Sequence, residues 1–210
     1  MVASEGASRR AGTLWMLNLD WPPPSGVAPR IPVALARLRV EDAESLSRAM
    51  GHDDPARLLE RLSTGRRCYA ARVEGEFAAY CWVSFGEEGI GEIRLRIRLA
   101  AGEAYVWDCA TALAFRRRRL CTALLAHIAG GLRAEGLCRL WIGADTDNVA
   151  SHNSFALAGF RPVADLIVAR ALGVRLLWVR GRPGVPQGWV ADARRALLGS
   201  RDRAWLAGPA

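Results

Sequence analysis

Apolar positions along this chain follow two periods, and the order in which they alternate sets the expected elements. From Val33 the pattern is regular: Val33, Leu35, Leu38 and Val40 read as a strand. Glu41-Asp42 stands where a helix begins, with acids at the positive end of its dipole, and Ala43, Leu46, Ala49 and Met50 repeat at helical spacing. A second helical piece runs from Pro55 to about Leu62, and Thr64-Gly65 closes it. Cys68 to Val73 and Phe77 to Phe85 read as a hairpin around Glu74-Gly75, followed by a polar loop from Gly86 to Gly91. Ile93, Leu95, Ile97 and Leu99 alternate with Arg94, Arg96 and Arg98, a half-solvated strand, and Tyr105 to Thr111 forms the next strand after the Ala101-Gly102 turn.

Beyond Thr111 the pattern changes. Leu120, Leu124, Leu125, Ile128 and Leu132 share one helical face, and Gly136 marks the end of that helix. Leu137 to Gly143 is a short apolar run, a buried strand, so strand, helix and strand make a right-handed crossover onto a parallel pair. Asn148 caps a further helix carrying Val149, Phe155 and Leu157 and ending at Gly159, and Phe160 to Ala171 and Val174 to Val179 form a final hairpin around Gly173. Residues 1–32 are expected as an irregular arm in which Trp15, Leu17, Leu19 and Trp21 alternate, so that part adds an edge strand or packs on the body. Residues 33–180 form the main domain. Residues 181–210 form an extension in which Trp189, Val190, Ala193, Leu197 and Leu198 make a short amphipathic helix.

Charge narrows the ligands only a little. The 210 residues carry a formal charge of +8, which favours anionic ligands without choosing among nucleotide cofactor, nucleic acid and membrane. All 29 basic residues are arginine, a uniformity that reads as a compositional habit and weakens the case for nucleic acid. The five cysteines lie in apolar runs without zinc or redox spacing, and His127 and His152 have no metal-ligand partner, so no metal is expected. No run reaches the length of a membrane span, and Leu14 to Leu19 is too short for a secretory signal. The expectation is a cytoplasmic protein without a membrane partner.

The chemistry concentrates at Arg116-Arg117-Arg118-Arg119, a basic turn between a strand and a helix N-terminus. Unpaired N–H groups and the helix dipole favour phosphate there, and guanidinium groups add bidentate contacts, although neither a P-loop nor a dinucleotide-binding glycine pattern is present. Phe115 to Leu125, followed by Asn148, Ser151, Phe155 and Gly159-Phe160 at their spacing, resembles the acyl-CoA-binding core of the GNAT N-acyltransferase superfamily. The resemblance covers about residues 33–180. It implies an α/β fold with a mixed, mostly antiparallel central sheet, flanking helices and one parallel strand–helix–strand unit.

It also implies transfer of an acyl group, acetyl first among them with chain length left open, from acetyl-CoA or another acyl-CoA to a primary amine by direct attack in a ternary complex. The acceptor would be a small molecule or a peptide, and a homodimer stays open. Backbone groups of Cys109, Ala110 and Thr111 would hold pantetheine, and Arg116, Arg117, Arg118, Arg119, Leu120 and Cys121 the pyrophosphate. Asn148 and Ser151 would contact the cosubstrate, although a helix cap explains Asn148 equally well. Asp108 is the leading base for the attacking ammonium, with Glu92 and Asp145 behind it, and a structural aspartate as the plain alternative. Trp82, Trp107 and Trp141 line a pocket or fill the core. Three positions depart from the family pattern, one of them Cys121 in place of the loop's second small residue. Arg119 replaces the loop glycine, at about 1–2 kcal/mol if the position needs positive φ. Phe155 replaces a tyrosine that family members use as an acid, so the thiolate leaves unaided or through water, another donor serves, or the chain is a GNAT-fold binding module without catalysis. A nucleic-acid or ribosome-associated binder is the remaining alternative.

Overall fold

The computed structural model describes residues 8–24, 27–51, 54–91, 95–171 and 174–199. Glu92, the Ile93-Arg94 start of the half-solvated strand, and Gly173 lie outside them. The strands are β1 (Ser8–Asn18), β2 (Ala34–Arg37), β3 (Arg67–Val73), β4 (Glu76–Ser84), β5 (Glu87–Ile90), β6 (Leu95–Arg98), β7 (Glu103–Thr111), β8 (Arg139–Asp145), β9 (Arg161–Ala171) and β10 (Val174–Gly181). The α-helices are α1 (Ala43–Met50), α2 (Pro55–Ser63), α3 (Leu120–Ala134), α4 (Val149–Leu157) and α5 (Gln187–Leu198). Eight strands form one sheet in the order β10-β9-β1-β8-β7-β4-β3-β2, and β5 pairs with β6 in a separate hairpin. Within the large sheet β7 and β8 are parallel and the other pairs antiparallel. That is the mixed, mostly antiparallel α/β fold expected from the sequence.

Two layers of helix cover this sheet. Leu124, Leu125, Ile128 and Leu132 of α3 and Phe155 of α4 pack on one face against Val83, Val106 and Ile142. Leu46 of α1 and Leu58 of α2 pack on the other, against Tyr80 and Trp82. Further along that second face α5 buries Ala193, Ala196 and Leu197 against Met16, Tyr105 and Trp141. The α5 contact also has a polar part. Buried Glu103 accepts hydrogen bonds from Arg139 and Arg195, both at 2.8 Å, and from the Ala100 N–H at 2.9 Å. This ties α5 to the end of the sheet where β7 and β8 pair.

Three expectations change. The alternation at Trp15–Leu19 does form a strand, but β1 is internal, bonded to β8 on one side and β9 on the other. The reason is that Leu14 and Met16 fill one face while Trp15 and Leu17 fill the other, all four buried. Each such side chain contributes about 1.5–3 kcal/mol of burial. Gly86 to Gly91 is not a plain loop: Glu87–Ile90 pairs with β6, helped by Glu87 contacts to Arg96 and Arg98. Val40 leaves the first strand, which ends at Arg37, and lies exposed in a 3₁₀ turn ahead of α1.

Candidate active-site cleft

β7 and β8 pair only from Glu103–Arg139 to Val106–Ile142. Beyond that register both strands continue, to Thr111 and Asp145, and they diverge. Between them lies a cleft of about 570 Å³ walled by Trp107, Asp108 and Cys109 of β7, Gly143 to Asp145 of β8, and Asn148, Ser151 and Phe155 at α4. The β8-facing edge of β7 from Trp107 to Thr111 therefore has backbone groups with no partner strand, the condition for pairing with an extended ligand.

A one-residue bulge shapes the wall of β7. Trp82 pairs with Trp107 and Tyr80 with Ala110, so Cys81 faces two residues, Asp108 and Cys109. Asp108 takes φ 44°, a left-handed conformation that aspartate tolerates better than most residues. The extra residue keeps Trp107 and Asp108 on the same face of the sheet and sends Cys109 to the other. Asp108 accepts a hydrogen bond from the Tyr80 hydroxyl at 3.1 Å and pairs with Arg61 of α2 at 2.5 Å. Burial, and then the charge of Asp108, push the Tyr80 hydroxyl well up, so it stays protonated and donates. The Arg61 guanidinium carbon lies 4.6 Å from the Trp107 ring centre and 5.1 Å from that of Trp82.

Trp107 is itself held. Its indole N–H donates to Ser84 Oγ at 2.8 Å, Ser84 donates to Glu88 at 2.5 Å, and Arg66 closes the chain on Glu88 at 2.6 and 3.1 Å. Burial acts to raise the Glu88 carboxyl. The bonds from Arg66, Ser84 and the Gly89 N–H outweigh it and leave Glu88 below the usual carboxylate value.

The basic turn follows a short 3₁₀ segment, Leu113–Phe115. Arg117 and Arg119 both have left-handed backbone, φ 63° and 60°. Arg119 is the N-cap of α3 and its side chain makes no cap hydrogen bond to the first N–H groups of the helix. Arg116, Arg117 and Arg118 are exposed, while Leu120 is buried against Ala71, Ala78 and Ala79 and offers only its backbone. The neighbouring thiols of Cys109 and then Cys81 hold the Cys121 thiol below its ordinary value, while burial pushes Cys81 up.

On the α4 side the Asn148 side chain accepts from the Ser151 N–H at 3.1 Å, so it caps the helix, and both residues also line the cleft. His152 accepts from the Trp15 indole at 3.1 Å and bonds the Asp145 carbonyl at 3.0 Å, which makes it a link between β1, β8 and α4. Phe155 is buried edge-on to Trp15. Trp107 belongs to the cleft wall, whereas Trp141 is fully buried in the core beneath α5. The cleft thus collects Asp108, Cys109, Asp145, Asn148 and Ser151. Ala110, Thr111 and Arg116 to Cys121 lie further along the same strand and turn, outside its wall. Arg61, Tyr80, Ser84 and Glu88 were not singled out by spacing. The available signal was Trp107-Asp108-Cys109, an acid interrupting an otherwise apolar strand.

The model of the GNAT acetyltransferase family matches residues 34–160, and the chain belongs to that family. No curated protein matches the sequence significantly. Solved structures share the fold. A GCN5-related N-acetyltransferase from Sphaerobacter thermophilus superposes with TM-score 0.57 at 15% identity, over 82% of this chain and 53% of that one. A GNAT-family acetyltransferase from Colwellia psychrerythraea gives 0.53 at 13%, over 85% and 58%. The glucosamine N-acetyltransferase region of a fungal multi-domain β-N-acetylglucosaminidase gives 0.59 at 11%, over 78% of this chain and 21% of that protein. The chain matches about half the length of the Sphaerobacter protein. Among the described residues no helix is long and apolar enough to cross a membrane, and no cluster of His, Cys, Asp and Glu is arranged to hold a metal ion.

Proposed function

We propose that this chain is an N-acetyltransferase that moves an acetyl group from acetyl-CoA to a primary amine by direct attack in a ternary complex. The observation that carries the reading is the divergence of β7 from β8 beside a helix N-terminus that its N-cap side chain does not cap. The residues present fit the cosubstrate on both counts. The edge of β7 from Trp107 to Thr111 offers N–H and C=O groups to pantetheine, and the first turn of α3 offers N–H groups and positive dipole to pyrophosphate. Arg116, Arg117 and Arg118, exposed beside that turn, add charge. Arg119 already holds the left-handed geometry expected of a glycine there, so the substitution leaves the turn intact.

Acetyl-CoA supplies an activated acyl group on a thiol leaving group whose ordinary pKa lies near 8.5, so a thiolate departs without an obligatory acid and Phe155 is compatible with turnover. The β7 N–H groups polarise the thioester carbonyl, and the cleft holds both reactants together. Deprotonation of the attacking ammonium runs through water to a cleft carboxylate, Asp108 or Asp145. Both Asp108 oxygens already accept hydrogen bonds, so Asp108 takes a proton only by giving one up. The test is release of free CoA thiol when the protein is mixed with acetyl-CoA and a panel of primary amines. Amine-dependent release is expected, and release no faster than without protein for every amine would overturn the reading in favour of a binding module.

A further inference from the structure

The group formed by Trp82, Trp107, Asp108 and Tyr80 has the makings of a cation receptor, and it already contains a cation. Two indole rings with centroids 6.0 Å apart present their faces to the Arg61 guanidinium, whose charge is met by Asp108 at 2.5 Å. The receptor is built from the rigid sheet: the bulge fixes Asp108, Tyr80 holds one of its oxygens, and the Ser84–Glu88–Arg66 chain fixes Trp107. Its occupant comes from elsewhere. α2 buries only Leu58, and Arg61 is the side chain that joins it to Asp108. The Arg61 side chain remains 30% exposed, and Arg61, Trp107 and Asp108 all face the cleft. A preformed cage filled by a side chain from a lightly anchored helix is open to exchange with an outside cation.

We propose that Arg61 is an internal latch in a cation-binding subsite, displaced by a guanidinium or ammonium group on the acceptor. This rests on the acetyl-transfer reading and narrows its substrate class. A cage that stabilises positive charge opposes loss of a proton, so the group it holds is not the nucleophile. The acceptor is therefore a dibasic molecule, with one cation in the cage and a second, reacting amine reaching toward Cys109 on the same wall.

The test is equilibrium binding to the 210-residue chain, followed by tryptophan fluorescence and calorimetry without acetyl-CoA, so that it stands apart from turnover. Agmatine, an amine with a terminal guanidinium, is compared with hexylamine, which has similar length and no second cation. Agmatine is expected to bind at least tenfold more tightly than hexylamine. Arg61→Gln, which keeps bulk and removes the competing charge, is expected to tighten agmatine a further several-fold and leave hexylamine within twofold. Trp107→Leu is expected to abolish the preference. Equal binding of the two amines, or agmatine binding weakened by Arg61→Gln, would overturn the proposal even if acetyl transfer to other amines were observed.

Discussion

Arg117 and Arg119 sit in left-handed backbone on either side of Arg118, a conformation that glycine adopts freely and other residues only against Cβ sterics. The turn survives because its neighbours fix it. The Arg30 N–H donates to the Arg118 carbonyl at 3.0 Å, the Ala123 N–H to that of Arg119 at 3.0 Å, and Leu120 is buried. Arg117→Gly should therefore stabilise the protein. The strain removed is about 1–2 kcal/mol, and the added freedom of the unfolded chain offsets about 0.4–1 kcal/mol of it. A higher urea midpoint with an unchanged slope is expected, and a lower midpoint would show that the arginine side chain contributes more than its backbone costs. Asp108 is strained in the same way, and there the strain aims a carboxylate at Arg61 and Tyr80.

Among the elements, α5 depends most visibly on charge. Burial acts to raise the Glu103 carboxyl. The Ala100 N–H and then Arg195 and Arg139 outweigh it, so Glu103, like Glu88, sits below the usual carboxylate value. A carboxyl held low in the folded state contributes stability that is complete above the unfolded pKa and lost as pH falls through the folded one. Thermal stability is accordingly expected to hold from neutral pH to about 5 and to fall below about 4, the unfolded glutamate value being near 4.3. Glu103→Gln should lower the neutral-pH plateau by about 2 kcal/mol and flatten the acid limb, read by calorimetry across that range. The elements themselves were largely legible. α3, α4, β7, β8 and the β9–β10 hairpin follow directly from apolar period, cap and glycine. β5 was not, because its fold comes from ion pairs of Glu87 and Glu88 that carry no apolar period. Nor was Arg61, since the polar face of a short helix does not reveal which arginine turns toward the sheet.

Across the whole molecule, the family match ends short of what the fold needs. Residues 34–160 omit β1, which lies between β8 and β9, and also β9, β10 and α5. The sequence showed the alternation of β1 but not its place, because pairing partners across some 130 residues are set by both faces being buried and not by local period. A fragment of residues 34–160 is expected to lack a cooperative thermal transition, since β8 would lose one of its two partner strands and the fragment the core residues Leu14, Trp15, Met16 and Leu17. A cooperative transition by circular dichroism would contradict the central role of β1. That sheet holds β7 and β8 together at one end and apart at the other, and the proposed chemistry depends on the open end. The most direct test is a thermal-shift titration of the full chain with acetyl-CoA. Stabilisation that grows with concentration is predicted, reaching about 2.7 kcal/mol at a hundred times the dissociation constant, and the absence of any shift at millimolar acetyl-CoA would contradict the account.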